Sequence, residues 1–281
     1  MTDKVAEKKK EGLPLPVTTY SFDIVYRFKN DPFTLTATYV AASLAVAFLN
    51  KYIVVATEFK FPYPYTVACF QLAIVALPVS ALYGLHKVIR PWRQAIPLSA
   101  ANTCLVFVSP LFLTHVSYHP IMQAVSVPCT LLLLGAVPHA AALFTLCTVV
   151  GIFIASCDAA PLSWSGLFYG LLYGFLIALN SVCIQRGLKK TDVWPLLLCS
   201  ALLSCIFLLP LPFVSGELGN IRDSIMFLHE GAFWFQLVLG GWMAMGLRLL
   251  AFLLVKIRSP IAHMAALGSK VRKQDEYQVS T

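Results

Sequence analysis

Charge is scarce in this sequence. Only 12% of its 281 residues are Asp, Glu, Lys or Arg, and Asp and Glu together number 13. A soluble domain carries about 25% charged residues, so this share excludes an ordinary water-soluble globule. Chemistry-bearing patterns are missing as well. No glycine-rich phosphate loop, GxSxG elbow or HExxH pair occurs, which removes the common signatures of nucleotide hydrolases, serine hydrolases and zinc proteases. The eight cysteines (69, 104, 129, 147, 157, 183, 199 and 205) include no CxxC pair and no metal-ligand spacing. They read as small apolar fillers of membrane helices. His115 and His119 are four apart, but Pro120 breaks the helix beside them, so they read as loop and interface residues. Neither a cofactor nor an enzymatic activity is expected. Residues 1–30 are polar and mixed, with no short apolar stretch leading to a cleavage site. The first apolar run is therefore expected to stay as a signal-anchor helix.

What the sequence has in abundance is apolar length. Hydrophobic residues make up 58% of the chain and the mean hydropathy is +0.76. A helix needs about 20 residues to cross the hydrocarbon core. Eight runs meet that need, at 33–56, 62–85, 96–116, 120–138, 139–157, 165–186, 193–215 and 232–256, with the fourth and fifth joined by a turn at Pro138 and His139. A ninth apolar piece, 261–267, is too short to cross. The expected fold class is an all-α multi-pass membrane protein with about eight transmembrane helices.

The net charge of +8 is explained by where the cations fall. With a cytosolic N-terminus, Lys4, Lys8, Lys9, Lys10, Arg27 and Lys29 lie on that side. So do Lys87, Arg90 and Arg93, then Arg186, Lys189 and Lys190, then Lys256, Arg258, Lys270, Arg272 and Lys273. The opposite side receives Lys60 and Arg222, and its loop after the seventh run carries Glu217, Asp223 and Glu230. This is the positive-inside pattern, with an even number of spans and both termini cytosolic. It accounts for the basic balance without nucleic acid.

Four polar sites within the spans are costly enough to suggest function. An ammonium inside a lipid-facing helix costs about 2.5–3.5 kcal/mol on insertion scales. Asn50 and Lys51 stand in FLNKYIVVA, about a turn from the end of their run, so Lys51 either snorkels to the interface or faces a polar path. Gln71 is an amide in the second run; Asn180 is followed by Gln185 and Arg186 at the cytosolic end of the sixth. Arg248 lies within GWMAMGLRLLAFLL, eight residues before Lys256. Snorkelling is difficult there, and a bundle interior or wet cavity is expected. Cations and amides at mid-membrane suit an anionic, phosphorylated solute. Gly166, Gly170 and Gly174 form a small-residue stripe on the sixth run, suited to close helix packing or to a hinge. Gly240, Gly241 and Gly246 loosen the eighth run.

Several strings occur together in order: FLNKY (48–52), Pro64…Gln71, PLSAANTC (97–104), LSWSGLFYG (162–170), LIALN (176–180), FLLPLPFVSGEL (207–218), FWFQLVLGG (233–241) and VKIRSPIAHMAALGSK (255–270). In order and spacing they resemble the nucleotide-sugar transporters of the drug/metabolite transporter superfamily, nearest the GDP-fucose branch and beside the triose-phosphate translocators. The resemblance covers roughly residues 35–270. It implies a ten-helix fold of two inverted five-helix repeats, with a cavity alternating between cytosol and Golgi lumen. It also implies exchange of a nucleotide sugar for a nucleoside monophosphate. On that resemblance Lys51 belongs to the first-helix motif, Asn180 matches the LN motif of the sixth helix, and Arg186 stands where a lysine is common. Lys270 matches the lysine closing the SP-x-x-H…K motif.

The chain also departs from that pattern. Leu198, Cys199, Ser200 and Ala201 stand where the branch carries an FYNN-like string, whose amides help recognise guanine. The fourth helix, IMQAVSVPC, offers only Gln123 and Ser126, and Arg248 is extra. The chain ends where helix nine would be half complete, so a C-terminally truncated form of the ten-helix fold is expected. Its expected parts are a cytosolic segment 1–31, a first repeat 32–157, a partial second repeat 158–258 of three helices, and an incomplete ninth helix with a polar tail, 259–281. Three expectations follow: a Golgi antiporter of GDP-fucose against GMP, a carrier of another nucleotide sugar or organic phosphate, or a non-transporting paralogue that pairs with a full-length relative. A homo-oligomer is a further expected assembly, and the bilayer is the expected surrounding.

Overall fold

The computed structural model describes residues 31–51, 63–115, 120–135, 164–224 and 230–264, with the isolated positions 147, 150 and 266. Among the described residues the regular structure is entirely helical. Four helical stretches are long and apolar enough to cross a membrane: Pro64–Tyr83, Phe168–Leu188, Val193–Val214 and Gly231–Ile257. The expected span at 139–157 and its turn at Pro138 and His139 lie almost wholly outside the described residues.

Local chemistry sets the helix ends. Helix α1 (Pro32–Lys51) starts with Pro32, whose missing N–H would have no intrahelical acceptor anyway. Asp31 accepts a hydrogen bond from the Thr34 amide at 3.2 Å and another from the Thr34 hydroxyl. Those bonds favour its charged form and hold its carboxyl below the ordinary range. Helix α2 (Pro64–Tyr83) also opens on proline, and its own N-cap side chain makes no capping bond. It ends at Gly84, whose φ of +96° favours glycine, and α3 (Leu85–Ile89) turns off from there. Helices α4 (Trp92–His115), α5 (Pro120–Leu134), α6 (Trp164–Leu188) and α7 (Val193–Leu208) follow. Pro210 interrupts the seventh apolar run and starts the short α8 (Pro210–Val214). The segment expected as a loop after it contains α9 (Glu217–Ser224), and α10 (Gly231–Ile257) completes the bundle. Residues 260–264 are helical again.

The helices pack in an order that differs from their order in the chain. Helix α6 lies against α5 and α4, α4 against α7, α7 against α2, α2 against α10, and α10 against α1. Gly241 sets the α10–α2 approach. A Cβ there would lie 3.0 Å from Ile74 Cγ2 and 3.1 Å from the Gln71 backbone oxygen. The glycine expected to loosen this run is thus a contact that lets two backbones close up.

The two ends of the bundle differ in charge. Val88, Val193 and Val255 share one buried cluster. This places the Lys87–Arg93 stretch, the Arg186–Lys190 stretch and Lys256 at the same end. The opposite end joins Tyr63, Val67, Ile221 and Phe233. There Glu217, read from sequence as a loop charge, is buried. It accepts bonds from the amides of Tyr65 (3.3 Å) and Thr66 (2.8 Å) and from the Thr66 hydroxyl (2.7 Å). A carboxylate from α9 therefore supplies the N-terminal cap that α2 lacks. Replacing Glu217 with Ala is expected to cost about 1–2 kcal/mol and to lower the melting temperature in detergent. Glu217→Gln, which retains one acceptor oxygen, should lose less. Equal melting of Glu217→Ala and the parent would show that water replaces the cap.

Candidate functional site

A cavity of about 150 Å³ opens between α2, α4 and α10. Ala68, Gln71 and Leu72 of α2 form one wall, Val106 of α4 another, and Gly241, Ala244, Met245 and Arg248 of α10 the third. Most of this lining is small or apolar. Its polar groups are the Gln71 amide and the Arg248 guanidinium, which stand 177 positions apart in the sequence and meet because Gly241 lets α10 close on α2.

Arg248 is held by an amide. Its Nη2 donates to Asn102 Oδ1 at 2.7 Å, and Asn102 Nδ2 donates to Ser204 Oγ at 3.2 Å. The relay links α10, α4 and α7. Ser99, one turn earlier on α4, donates to the Ser200 carbonyl at 3.0 Å and ties the same two helices. A guanidinium has five N–H donors. Among the described residues Asn102 is the only hydrogen-bond partner of Arg248, and no carboxylate pairs with it. A neutral partner orients the side chain but leaves its charge uncompensated. The chemistry this permits is recognition of an anion, and a planar fork of donors matches phosphate oxygens.

The other sequence candidates lie elsewhere. Arg186 is exposed and donates from Nη2 to the Leu133 carbonyl at 2.9 Å, closing the end of α5. Asn180 is on α6 and does not line the cavity; its Oδ1 is buried without a hydrogen-bond partner among the described residues. Asn50 and Lys51 are the last two residues of α1, and their side chains lie outside the description, as does Lys270. The turn Leu198–Ala201 is fully buried in α7 and packs rather than facing the cavity.

Two polar groups escaped the sequence reading. Asn102 is itself an amide within a long apolar run, so the cost argument that singled out Gln71 applies to it equally. The second is a buried triad. His263 lies between Tyr39 Oη, 2.9 Å from Nε2, and Ser181 Oγ, 3.0 Å from Nδ1. The Tyr39 and His263 rings meet edge to face at 5.2 Å. All three residues are buried, and together they join α1, α6 and the 260–264 helix. A neutral imidazole donates from one nitrogen and accepts at the other, so both sites are satisfied. Nothing in the spacing of residues 39, 181 and 263 signals this.

Membrane-length helices around a cavity walled by Arg248, which has no carboxylate partner among the described residues, mark an integral membrane protein. Residues 33–273 match the Triose-phosphate Transporter family, and the chain belongs to that family. It is similar to GDP-fucose transporter 1 of Dictyostelium discoideum, 26% identical over 252 residues that cover 82% of this chain and 68% of the relative. It is similar also to GDP-fucose transporter 1 of Nematostella vectensis (24% identical, 88% and 80% covered) and of Mus musculus (25% identical, 87% and 76% covered).

Tyr39→Phe removes one partner of a buried imidazole, an expected loss of about 1–3 kcal/mol. Ser181→Ala should cost a similar amount. Because both act through His263, the double variant should lose less than the sum of the two. Thermal melts of the four proteins in one detergent test this; strict additivity would rule out the shared imidazole.

Proposed function

We propose that this chain is a Golgi-membrane antiporter that exchanges a nucleotide sugar, GDP-fucose first, for a nucleoside monophosphate such as GMP. The carrying observation is the cavity-wall Arg248, held by the Asn102 amide with no carboxylate to neutralise it among the described residues. Donor sugar and monophosphate both present phosphate oxygens, so one guanidinium serves each in turn. Gln71 adds an amide on the facing wall for a hydroxyl or base edge. The GDP-fucose transporters among the relatives support the substrate class. In this reading the basic end of the bundle is cytosolic, and residues 32–157 form a first repeat with a partial, inverted second repeat at 158–258. Lys51, Asn180, Arg186 and Lys270 are further substrate-path residues. Pockets for drug-sized ligands span about 300–1,000 Å³. A nucleotide sugar therefore enters only when walls enclosing about 150 Å³ move apart.

One observation favours a second substrate. Leu198, Cys199, Ser200 and Ala201 are buried in the α7 packing core and present no amide to the cavity. A phosphorylated solute without guanine needs none, and this keeps another nucleotide sugar or organic phosphate in view.

Counterflow in proteoliposomes containing only this chain separates these readings. Vesicles preloaded with GMP, UMP or CMP are offered labelled GDP-fucose, GDP-mannose or a UDP-sugar. Saturable uptake accelerated by the matching monophosphate supports antiport and identifies the base. Arg248→Ala should lower the initial rate at least about tenfold, the loss of one charge-assisted phosphate contact, with expression unchanged. Arg248→Lys should recover part of it. No uptake with any pair, from folded monodisperse protein, overturns the transport reading and points to a chain that pairs with a full-length relative.

A further inference from the structure

Two nucleophilic side chains touch beside the cavity without taking part in the exchange described above. Cys69 of α2 and Cys205 of α7 approach to 3.7 Å between sulfurs, and Cys205 Sγ lies 3.8 Å from the Cys69 carbonyl oxygen. They are 136 residues apart in sequence, on helices that pack directly. Both are half-buried. Among the described residues no other pair of cysteine sulfurs comes this close. A disulfide requires about 2.05 Å between sulfurs, a closure of roughly 1.7 Å from the observed separation. Side-chain rotation on two packed helices suffices where the backbones are compatible. Cys69 follows Ala68 of the cavity wall, and Cys205 follows Ser204, which holds the Asn102–Arg248 pair.

We propose that Cys69 and Cys205 form a dithiol modification site for small-molecule disulfides, whose oxidation bonds α2 to α7 beside the cavity. One thiolate attacks a small disulfide, forming a mixed disulfide and breaking the reagent's S–S bond. The second thiolate then attacks the protein sulfur of that adduct and displaces the other half of the reagent. The two protons leave with the two released thiols; the protein sulfurs lose two electrons and the reagent gains them. The second step is intramolecular, which favours closure over a lasting adduct. The bond clamps the α2 wall that carries Ala68, Gln71 and Leu72. A solute larger than the resting cavity requires that wall to move, so the clamp stops exchange. This consequence rests on the transport reading, whereas formation of the bond does not.

The test treats the full chain in lipid nanodiscs with oxidised glutathione, followed by non-reducing peptide mapping and intact mass. The expected result is a linked peptide joining Cys69 to Cys205 with no glutathione on either, reversed by dithiothreitol, whatever adducts form on the exposed Cys104 and Cys147. Cys69→Ser should show a glutathione adduct on Cys205 in place of the link, and Cys205→Ser the reverse. Persistent adducts on both cysteines of the parent, or links from either to a different cysteine, would overturn the site. Counterflow is then measured on the same samples. A loss of at least about tenfold that dithiothreitol restores, and that both serine variants lack, supports the clamp. A linked peptide with unchanged exchange overturns the clamp. A linked peptide in protein that transports in neither redox state leaves the site standing and counts against the transport reading.

Discussion

A polar group within a lipid-enclosed bundle must find its partner in the protein, because the surroundings offer no water to replace one. That constraint organises this molecule. Arg248 bonds Asn102, Asn102 bonds Ser204, and Ser99 bonds the Ser200 carbonyl, so α10, α4 and α7 are fixed to one another by polar contacts. Tyr39, His263 and Ser181 do the same for α1, α6 and the 260–264 helix. Apolar surface alone would not select these neighbours, since lipid tails solvate leucine as well as another helix does.

The same rule distinguishes a structural polar group from one available to a ligand. The His263 imidazole has a partner at each nitrogen and is enclosed, so its bonding capacity is used within the fold. Arg186 bonds a helix end through one nitrogen and is exposed at the basic end of the bundle, away from the cavity. Arg248 differs from both. It lies on a cavity wall, most of its donors are uncommitted among the described residues, and its partner carries no charge. In the proposed exchange, that charge is what would attract an anionic solute.

Gly241 lets α10 approach the α2 backbone closely, while Val67 and Phe70 of α2 pack against Phe233, Trp234 and Leu237 of α10. At the end of α2 away from the basic residues, the cap comes from α9, a short helix outside the expected spans. Helix α2 is thus held at its N-terminus by a single carboxylate and along its length by α10 and α7.

Much of the helix pattern was legible in the chain. Apolar runs near 20 residues can only be helices in a membrane, because a helix satisfies its own backbone, and Pro120, read as a break between runs, starts α5; the interruption at Pro210 inside the seventh run was not read. Arg248 and Gln71 were legible as costly residues, since the expense of a polar group in hydrocarbon depends on its type and depth, both readable from position. Their meeting on one cavity was not, because it depends on α10 packing against α2, a neighbour distant in sequence. Asn102 could have been flagged by the same cost. The Cys69–Cys205 contact, the Glu217 cap and the His263 triad could not. Each joins residues more than 80 positions apart. Sequence by itself determined which segments are apolar enough to enter a membrane and which residues are expensive there; only tertiary packing decided which of those residues bond one another and which come together on one cavity.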